Sequence, residues 1–249
     1  MSAHKIQYME QDYYYLCDTQ FDEKFDFVES LKRYPWVGNK YAESNYRILI
    51  LGDSHYAVDK DKNPSEEEYK RCNTDKDYTR RVVRCVINDV CERKSTWTMF
   101  RNLINTFTSY TPDEVKHLWS KVAFYNFIQE PMKQIDQVPT REEHITGWRC
   151  LYDVVNILEP DYCLFIGIRR KQEIEMIRPL GGAYTIWEDK EMCNNTTPYW
   201  GEIETKEGNK TRFRIIKHTS TYYSPDEWYQ YFCKKEREVM RQLDRNYNL

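Results

Sequence analysis

Four short, mainly apolar runs separated by longer amphipathic segments organise this sequence. The runs are Tyr46–Leu51, Val122–Ile128, Tyr162–Ile168 and Phe213–Lys217. Their apolar residues are consecutive rather than alternating with polar ones, which is typical of strands that are buried on both faces of a sheet. The pattern therefore predicts four interior strands of a largely parallel sheet.

The segments between these runs have helical periodicity and clear start signals. Thr111–Glu114 and Thr140–Glu143 read as capping boxes, and Ser224–Glu227 has the same form with Pro at the first helical position. Buried strands that alternate with amphipathic helices predict an α/β fold, a three-layer α/β/α sandwich with a central, mostly parallel four-stranded sheet. We expect one domain over residues 1–249, with an N-terminal helical extension over residues 1–44.

Polar groups follow each of the four predicted strands. The first strand leads into Gly52–Tyr56, and the second contains Asn126 and continues to Pro131. Gly167–Lys171 follows the third strand, and His218–Ser220 follows the fourth. Because parallel α/β sheets bind ligands beyond the carboxyl ends of their strands, we expect these groups to meet at one rim.

Composition narrows the possible partners. The net charge of -3 gives no overall attraction to nucleic acid, so any DNA contact must use local patches. The 21 Tyr and 7 Trp residues suit stacking surfaces and half-buried sites. No stretch approaches the roughly 18 apolar residues of a membrane span, and the N-terminal residues lack the apolar core of a signal peptide. We therefore expect a cytoplasmic protein without a membrane contact.

The eight cysteines are scattered and include no CxxC pair. Such cysteines in a cytosolic chain are typically reduced core residues. Cys85 and Cys91 are close in sequence and leave an iron–sulfur or zinc site open as an alternative. The prediction is nevertheless a protein without a metal or another cofactor.

Two motifs resemble those of the uracil-DNA glycosylase superfamily. That superfamily has a first motif after strand one, in forms such as GQDPYH, GEAPG or GINPG, where this chain has LGDSHY at Leu51–Tyr56. Its second motif, HPS, lies at the end of the last strand, where this chain has KHTS at Lys217–Ser220. Between them, KVAFYNFIQEP is similar to a family strand that carries a base-reading Asn, and LEPDYCLFIG is similar to the next strand. The resemblance covers about residues 46 to 230.

The resemblance implies a monofunctional DNA glycosylase that flips a base out of DNA and hydrolyses its N-glycosidic bond. Asp53 would then stabilise the cationic sugar and orient water, and His218 would donate a hydrogen bond to the leaving base. Asn126 would read the base edge, with Tyr56 and His55 forming a wall of the pocket. No metal or cofactor is needed for this chemistry.

The same resemblance implies contacts to DNA around the pocket. Tyr222 and Tyr223 would wedge or stack in the duplex. Phosphate contacts would come from Arg169, Arg170, Lys171 and Ser220. DNA is the only partner implied, and no obligatory protein partner is inferred.

Departures from the family motifs indicate a divergent member. His55 and Thr219 stand where the two motifs carry Pro, and Ser54 stands where several branches carry Asp or Asn. These changes at the pocket wall favour a modified pyrimidine, such as those of bacteriophage DNA, over uracil. A role in antiviral defence would follow from that specificity.

Two other classes of protein remain open. A GDS-type esterase would use Ser54 as its nucleophile, but it needs an Asp three residues before its C-terminal His, and Ile215 occupies that position. The second class is a non-catalytic nucleic-acid-binding or sensing module on the same fold. Simpler structural roles also remain open: Asp53 as a helix N-cap or turn residue, His218 as a structural histidine, and Tyr222 and Tyr223 as packing residues.

Overall fold

Seven strands form one mixed sheet in the computed structural model, which describes residues 13–59, 61–167, 184–220 and 222–244. The strands are β1 (Trp36–Val37), β2 (Ile48–Gly52), β3 (Val122–Asn126), β4 (Tyr162–Ile166), β5 (Tyr184–Glu188), β6 (Tyr199–Glu204) and β7 (Lys210–Ile216). Their order across the sheet is β1-β3-β2-β4-β7-β6-β5. The overall class is α/β, as the sequence predicts.

The four predicted strands are the parallel centre of this sheet. β3, β2, β4 and β7 are consecutive neighbours and pair in parallel. The predicted strand number is wrong, because three antiparallel strands extend the sheet at its two edges. β1 has only two residues, and β5 and β6 carry half-exposed and charged residues, so none of the three has the continuous apolar pattern of a buried strand.

Helices occupy the segments between the strands. They are α1 (Asp22–Phe25), α2 (Glu66–Thr74), α3 (Tyr78–Cys91), α4 (Thr98–Phe107), α5 (Pro112–Lys121), α6 (Arg141–Leu158), α7 (Pro225–Lys235) and α8 (Arg237–Leu243). The predicted start signals lie at the first residues of α5, α6 and α7. Thr140 forms the full capping box of α6, whereas Thr111 makes no side-chain cap bond. None of the helices in the described ranges is long and apolar enough to cross a membrane.

Two hydrophobic clusters lie on opposite faces of the sheet. Ile48 and Ile50 face one cluster, which includes residues of α3, α4, α5, α7 and α8. Leu49 and Leu51 face the other, where α6 provides much of the cover. Every residue of β2, β3 and β4 is consequently buried. Full burial of one such Leu or Ile side chain stabilises the fold by about 1.5–3 kcal/mol.

The N-terminal segment differs from its prediction. A helical extension over residues 1–44 is wrong for residues 13–44, where the helical structure is limited to a 3-10 turn at Tyr14–Leu16 and the single turn of α1. The rest of this segment crosses the sheet edge and contributes β1. Trp36 is fully buried and donates from Nε1 to the Trp119 carbonyl at 2.8 Å. The segment therefore closes the edge of the sheet next to β3.

A buried ionic cluster fixes the end of β7 to the last two helices. Arg214 of β7 donates from Nε to Glu236 Oε1 at 2.7 Å and from Nη1 to Asp189 Oδ2 at 2.8 Å. Tyr231 of α7 donates to the same Asp189 oxygen at 2.6 Å. The Arg214 and Glu236 side chains are only 3% and 2% exposed. Charges removed from water to this degree depend on each other for stabilisation.

The cluster predicts unequal effects for two arginines on the same strand. Arg214→Met removes the buried cation that joins the two carboxylates and leaves Asp189 with Lys235 at 3.3 Å and Glu236 with Arg212. We therefore expect a loss at the lower end of about 3–5 kcal/mol in the free energy of unfolding. Arg212 also contacts Glu236, at 3.7 Å, but its side chain is 46% exposed. Arg212→Met should therefore cost at most about 1 kcal/mol. Urea denaturation of both variants checks this, and equal losses would contradict it.

The same cluster predicts acid-sensitive stability. Burial alone would raise the pKa of Asp189, but hydrogen bonds from Tyr231, Arg214 and neighbouring groups outweigh it and hold this pKa well below its usual value. A carboxyl whose pKa is lower in the folded state contributes stability above its unfolded pKa of about 3.9 and loses it as the pH falls towards the folded value. Asp189→Asn should therefore flatten the decline in unfolding free energy between pH values of about 5 and 2, measured by urea denaturation. The exposed control Asp61→Asn should leave that decline unchanged.

Candidate active site at the carboxyl ends of the parallel strands

The direction of the chain crossovers reverses between the neighbouring strands β2 and β4. From β2 the chain passes to β3 on one side, and from β3 it crosses to β4 on the other side. This reversal is a topological switch point, where open α/β sheets bind their ligands. In the register of the sheet, Gly52 lies beside Asn126 and Ile166 lies beside Ile216. The residues that follow these positions therefore begin at one rim, as predicted from the sequence.

Asn126 leans from β3 over the neighbouring strand β2. A Cβ atom at Gly52 would overlap Asn126 Oδ1, so the amide lies directly over the Gly52 backbone. Asn126 is only 7% exposed. Its backbone carbonyl accepts a hydrogen bond from Gln129, but its side-chain amide has no hydrogen bond to any described residue. The side-chain amide is therefore available to hydrogen-bond a ligand as both donor and acceptor.

The His218 side chain, which follows β7, leans over the neighbouring strand β4 in a similar way. A Cβ atom at Gly167 would lie 2.6 Å from His218 Cδ2, so the imidazole packs on the end of β4. Gly167 also has a φ of +84°, a backbone conformation that favours glycine. The outer parallel strands β3 and β7 thus direct Asn126 and His218 inward, over glycines at the ends of β2 and β4. Both side chains therefore lie at the switch point.

The hydrogen bonds of His218 define where its ring proton lies. The Ser220 backbone N–H donates to His218 Nδ1 at 3.2 Å, and the Ser220 hydroxyl lies 2.7 Å from the same nitrogen. A backbone N–H can only donate, so Nδ1 is an acceptor and the neutral ring carries its proton on Nε2. His218 is thereby prepared to act as a hydrogen-bond donor through Nε2.

Ser220 contacts His218 through its side chain as well as its backbone. With Nδ1 as an acceptor, the Ser220 hydroxyl donates its one proton to that nitrogen. The predicted contact of Ser220 with a phosphate stays a prediction.

Asp53 follows β2 at the centre of the rim and is 6% exposed. Its carbonyl accepts from the Ile128 N–H at 2.9 Å, and the Gly52 carbonyl accepts from the Phe127 N–H at 2.9 Å. These bonds continue the pairing of the two chains beyond the ends of β2 and β3. The next helix begins only at Glu66, so Asp53 is not a helix N-cap.

Ser54 is partly buried beside Asp53. Its hydroxyl oxygen has no hydrogen-bond partner within the described part of the chain. An esterase nucleophile would instead need a hydrogen bond to a base.

His55 turns towards α3. Its Nε2 lies 3.0 Å from Thr79 Oγ1, and its ring meets the Tyr78 ring edge-on at a centroid distance of 5.0 Å. Burial, with the nearby charge of Arg33 in addition, holds the pKa of His55 well below its usual value, so the imidazole is neutral. Tyr56 is half-buried, pairs with Met132 and packs at the edge of a core cluster. Of these two predicted wall residues, His55 is engaged with α3 and Tyr56 stays at the rim.

Tyr222 and Tyr223 have opposite environments. Tyr222 is 88% exposed, and its φ of 53° is unusual for a residue with a large side chain. Tyr223 stacks on Trp228 with a centroid distance of 5.9 Å, and its hydroxyl is 2.9 Å from Thr106 Oγ1. Tyr223 therefore packs between α4 and α7, whereas Tyr222 projects into solvent. The DNA contacts of both residues stay predictions. The predicted phosphate-binding residues Arg169, Arg170 and Lys171 lie outside the described residues.

Helix α4 holds the segment after His218, which the sequence did not indicate. Asn102 Nδ2 donates to the Thr219 carbonyl at 2.8 Å, and Thr219 Oγ1 donates to the Met99 carbonyl at 3.0 Å. Thr219 is fully buried. The signal for Asn102 is weak, since it is one polar residue beside the apolar stripe of α4, and its partner is 117 residues away.

Two further residues support the segment after Asn126. Gln129 donates to the Asn126 carbonyl at 2.6 Å and accepts from the Lys32 N–H at 3.1 Å. The buried guanidinium of Arg33 donates to the Gln129 carbonyl. These contacts join the N-terminal segment to the rim and hold Asn126 in place.

Thiol and carboxylate groups give no metal centre in the described ranges. All eight cysteines are free thiols, and Cys85 and Cys91 both lie on α3. Groups of three or more potential ligands from His, Cys, Asp and Glu are absent from the described residues.

Comparison with known proteins adds no assignment. No protein-family model matches the chain, and no curated protein is significantly similar to it. The functional interpretation therefore depends on the geometry of the site.

The close packing of His218 on Gly167 predicts a specific effect of Gly167→Ala. Gly208 also has a positive φ, +83°, but a Cβ atom there would have no neighbour within 4 Å. Both Gly→Ala substitutions should cost about 1–2 kcal/mol for the left-handed backbone. Only Gly167→Ala should also displace the His218 ring. Urea denaturation and histidine NMR resonances measure the two effects, and an unchanged His218 resonance in Gly167→Ala would contradict the packing.

Proposed function

We propose that this protein is a monofunctional DNA glycosylase that hydrolyses the N-glycosidic bond of a flipped base, more in keeping with a modified pyrimidine than with uracil. One observation carries the proposal: Asn126 lies over Gly52 at the end of β2, directly before Asp53, and His218, with Nδ1 as an acceptor, lies over Gly167 at the end of the neighbouring strand β4. Base recognition, charge stabilisation of the leaving base and stabilisation of the sugar are the three tasks of such an enzyme.

The proposed reaction breaks the bond between the sugar C1′ and the base nitrogen. The bonding electrons leave with the base, and the sugar acquires oxocarbenium character. Asp53 stabilises that positive charge and orients a water molecule, whose oxygen bonds to C1′ while its proton passes to the Asp53 carboxylate. The departed base anion takes up a proton from solvent, and Asp53 returns its proton to solvent. His218 donates through Nε2 to the base as negative charge develops there. A donor placed at a developing anion is worth about 3–4 kcal/mol.

Asn126 supplies the proposed base recognition. Its amide offers both an acceptor and a donor to the Watson–Crick edge of a flipped base. This contact requires that no described residue occupies the amide, as is the case for Asn126. Tyr56 forms the proposed wall of the pocket. The His55 imidazole is turned towards α3, so the residue that replaces the motif Pro adds no bulk to that wall. This arrangement supports a substituted pyrimidine as the substrate.

Tyr222 is the proposed wedge residue. A solvent-exposed aromatic side chain two residues after Ser220 can fill the space left by the flipped base and stack on its neighbours. Arg169, Arg170 and Lys171 remain predicted phosphate contacts. Glycosylase activity on phage DNA would give the protein a role in antiviral defence.

The geometry disfavours the esterase alternative. A Ser-His pair requires an imidazole nitrogen that accepts the serine proton, with the other ring nitrogen donating to a carboxylate. His218 has the opposite arrangement, because its Nδ1 already accepts from Ser220. The non-catalytic binding module shares the proposed site, and catalysis distinguishes the two.

A base-release assay tests the proposal. Duplex and single-stranded DNAs that contain uracil, hypoxanthine, 5-hydroxymethylcytosine or its glucosylated form are incubated with the protein, and free bases are detected by mass spectrometry. We expect release from one substrate, reduced at least about 100-fold in Asp53→Asn, which keeps the side-chain shape and removes the charge. Ser54→Ala, a neighbouring control, should keep full activity.

The failures of this assay are informative. DNA binding without release from any substrate, unchanged in Asp53→Asn, would favour the binding module. Hydrolysis of a simple chromogenic ester, lost in Ser54→Ala, would favour the esterase. Thermal unfolding of each variant shows that the fold is retained.

A further inference from the structure

The peptide unit between Thr219 and Ser220 is held at both of its ends. At one end, the Thr219 carbonyl accepts a hydrogen bond from Asn102 Nδ2 at 2.8 Å. At the other end, the Ser220 N–H donates to His218 Nδ1 at 3.2 Å. A trans peptide is planar, with its C=O and N–H pointing in opposite directions. Whatever fixes the carbonyl therefore also fixes the direction of the N–H.

Helix α4 is a firm support for this contact. Leu103 and Ile104, the next residues along the helix, are completely buried in the core. Asn102 also lies 3.4 Å from the Ser220 carbonyl, so its amide reaches two successive carbonyls. The Thr219 hydroxyl adds a bond to the Met99 carbonyl of the same helix. The carbonyl end of the peptide is thus held by a helix that is anchored in the core.

We infer that Asn102 is a positioning residue that sets the tautomer and orientation of His218 through the Thr219–Ser220 peptide. With the carbonyl held towards α4, the N–H must point at Nδ1, and the ring proton lies on Nε2. If the peptide were reversed, the Thr219 carbonyl would face Nδ1 instead. Nδ1 would then carry the proton, and Nε2 would become an acceptor.

The two hydrogen bonds also reinforce each other. A carbonyl that accepts a hydrogen bond polarises its peptide, which makes the N–H of the same unit a stronger donor. Asn102 therefore stabilises the acceptor state of Nδ1 without touching the ring.

The consequence for catalysis rests on the proposed glycosylase function. In the Nε2–H tautomer His218 can donate to the leaving base, whereas in the other tautomer an Nε2 lone pair would face the developing negative charge. Loss of Asn102 should consequently lower kcat more than it raises KM, because the lost interaction belongs to the transition state.

Nitrogen-15 NMR of histidine side chains in the full-length protein tests the inference. Long-range couplings between ring protons and nitrogens identify the tautomer, and the loss of signals in His218→Gln assigns them to His218. We expect the Nε2–H tautomer in the wild-type protein at neutral pH. Asn102→Asp replaces the amide donor with a carboxylate facing two carbonyls, so we expect this tautomer to be lost or mixed with the other.

Asn105 offers a matched control. It lies on the same helix but is exposed, so Asn105→Asp introduces the same charge without a contact to the peptide. This control should keep the wild-type tautomer. Asn102→Ala removes the donor without adding charge and serves where Asn102→Asp does not fold, as judged by circular dichroism and thermal unfolding.

The outcomes separate this inference from the proposed function. If no base is released, the tautomer measurement still decides the role of Asn102, because it needs no substrate. If base is released, Asn102→Asp should reduce kcat by about 10–100-fold with a smaller change in KM. A wild-type His218 in the Nδ1–H tautomer would overturn the inference. So would a folded Asn102 variant that keeps the wild-type tautomer.

Discussion

Burial of the parallel strands on both faces is the constraint on which the rest of the structure depends. Helices cover β2, β3 and β4 so completely that Asn126, the last residue of β3, is their only amide or charged side chain. Chemistry can then collect only at an edge of the sheet, and the parallel direction of the strands brings four carboxyl ends to the same edge. The site is a consequence of the core.

Glycines at two of these ends let side chains from the outer strands lie over the inner ones. A Cβ atom at either glycine would overlap the side chain that comes from the neighbouring strand. Gly52 and Gly167 remove that obstacle, so Asn126 and His218 can reach inward from the outer strands. The buried hydrogen bonds of Arg214 hold β7 against the last two helices. They thereby fix the end of the strand from which His218 extends.

Sequence patterns located the central strands, the helix starts and the rim, because each depends on local periodicity or on short motifs. They missed β1, which is too short to have a period, and β5 and β6, whose residues are partly exposed on the sheet edge. They also gave Tyr222 and Tyr223 the same role, although adjacent side chains point in different directions. The role of Asn102 could not be predicted from them, because its contact with Thr219 joins residues that are 117 positions apart in the sequence.

Asn102 and Asn126 show how the environment of a side chain distinguishes two roles for one chemical group. Both carry the same amide and lie at the same rim. The Asn102 amide nitrogen donates to two backbone carbonyls, so its role is to position the Thr219–Ser220 segment. The Asn126 amide has no hydrogen bond to a described residue, so its donor and its acceptor remain available at the rim. An amide with an available donor and acceptor can take part in recognition, which is why the proposed base contact is assigned to Asn126 and not to Asn102.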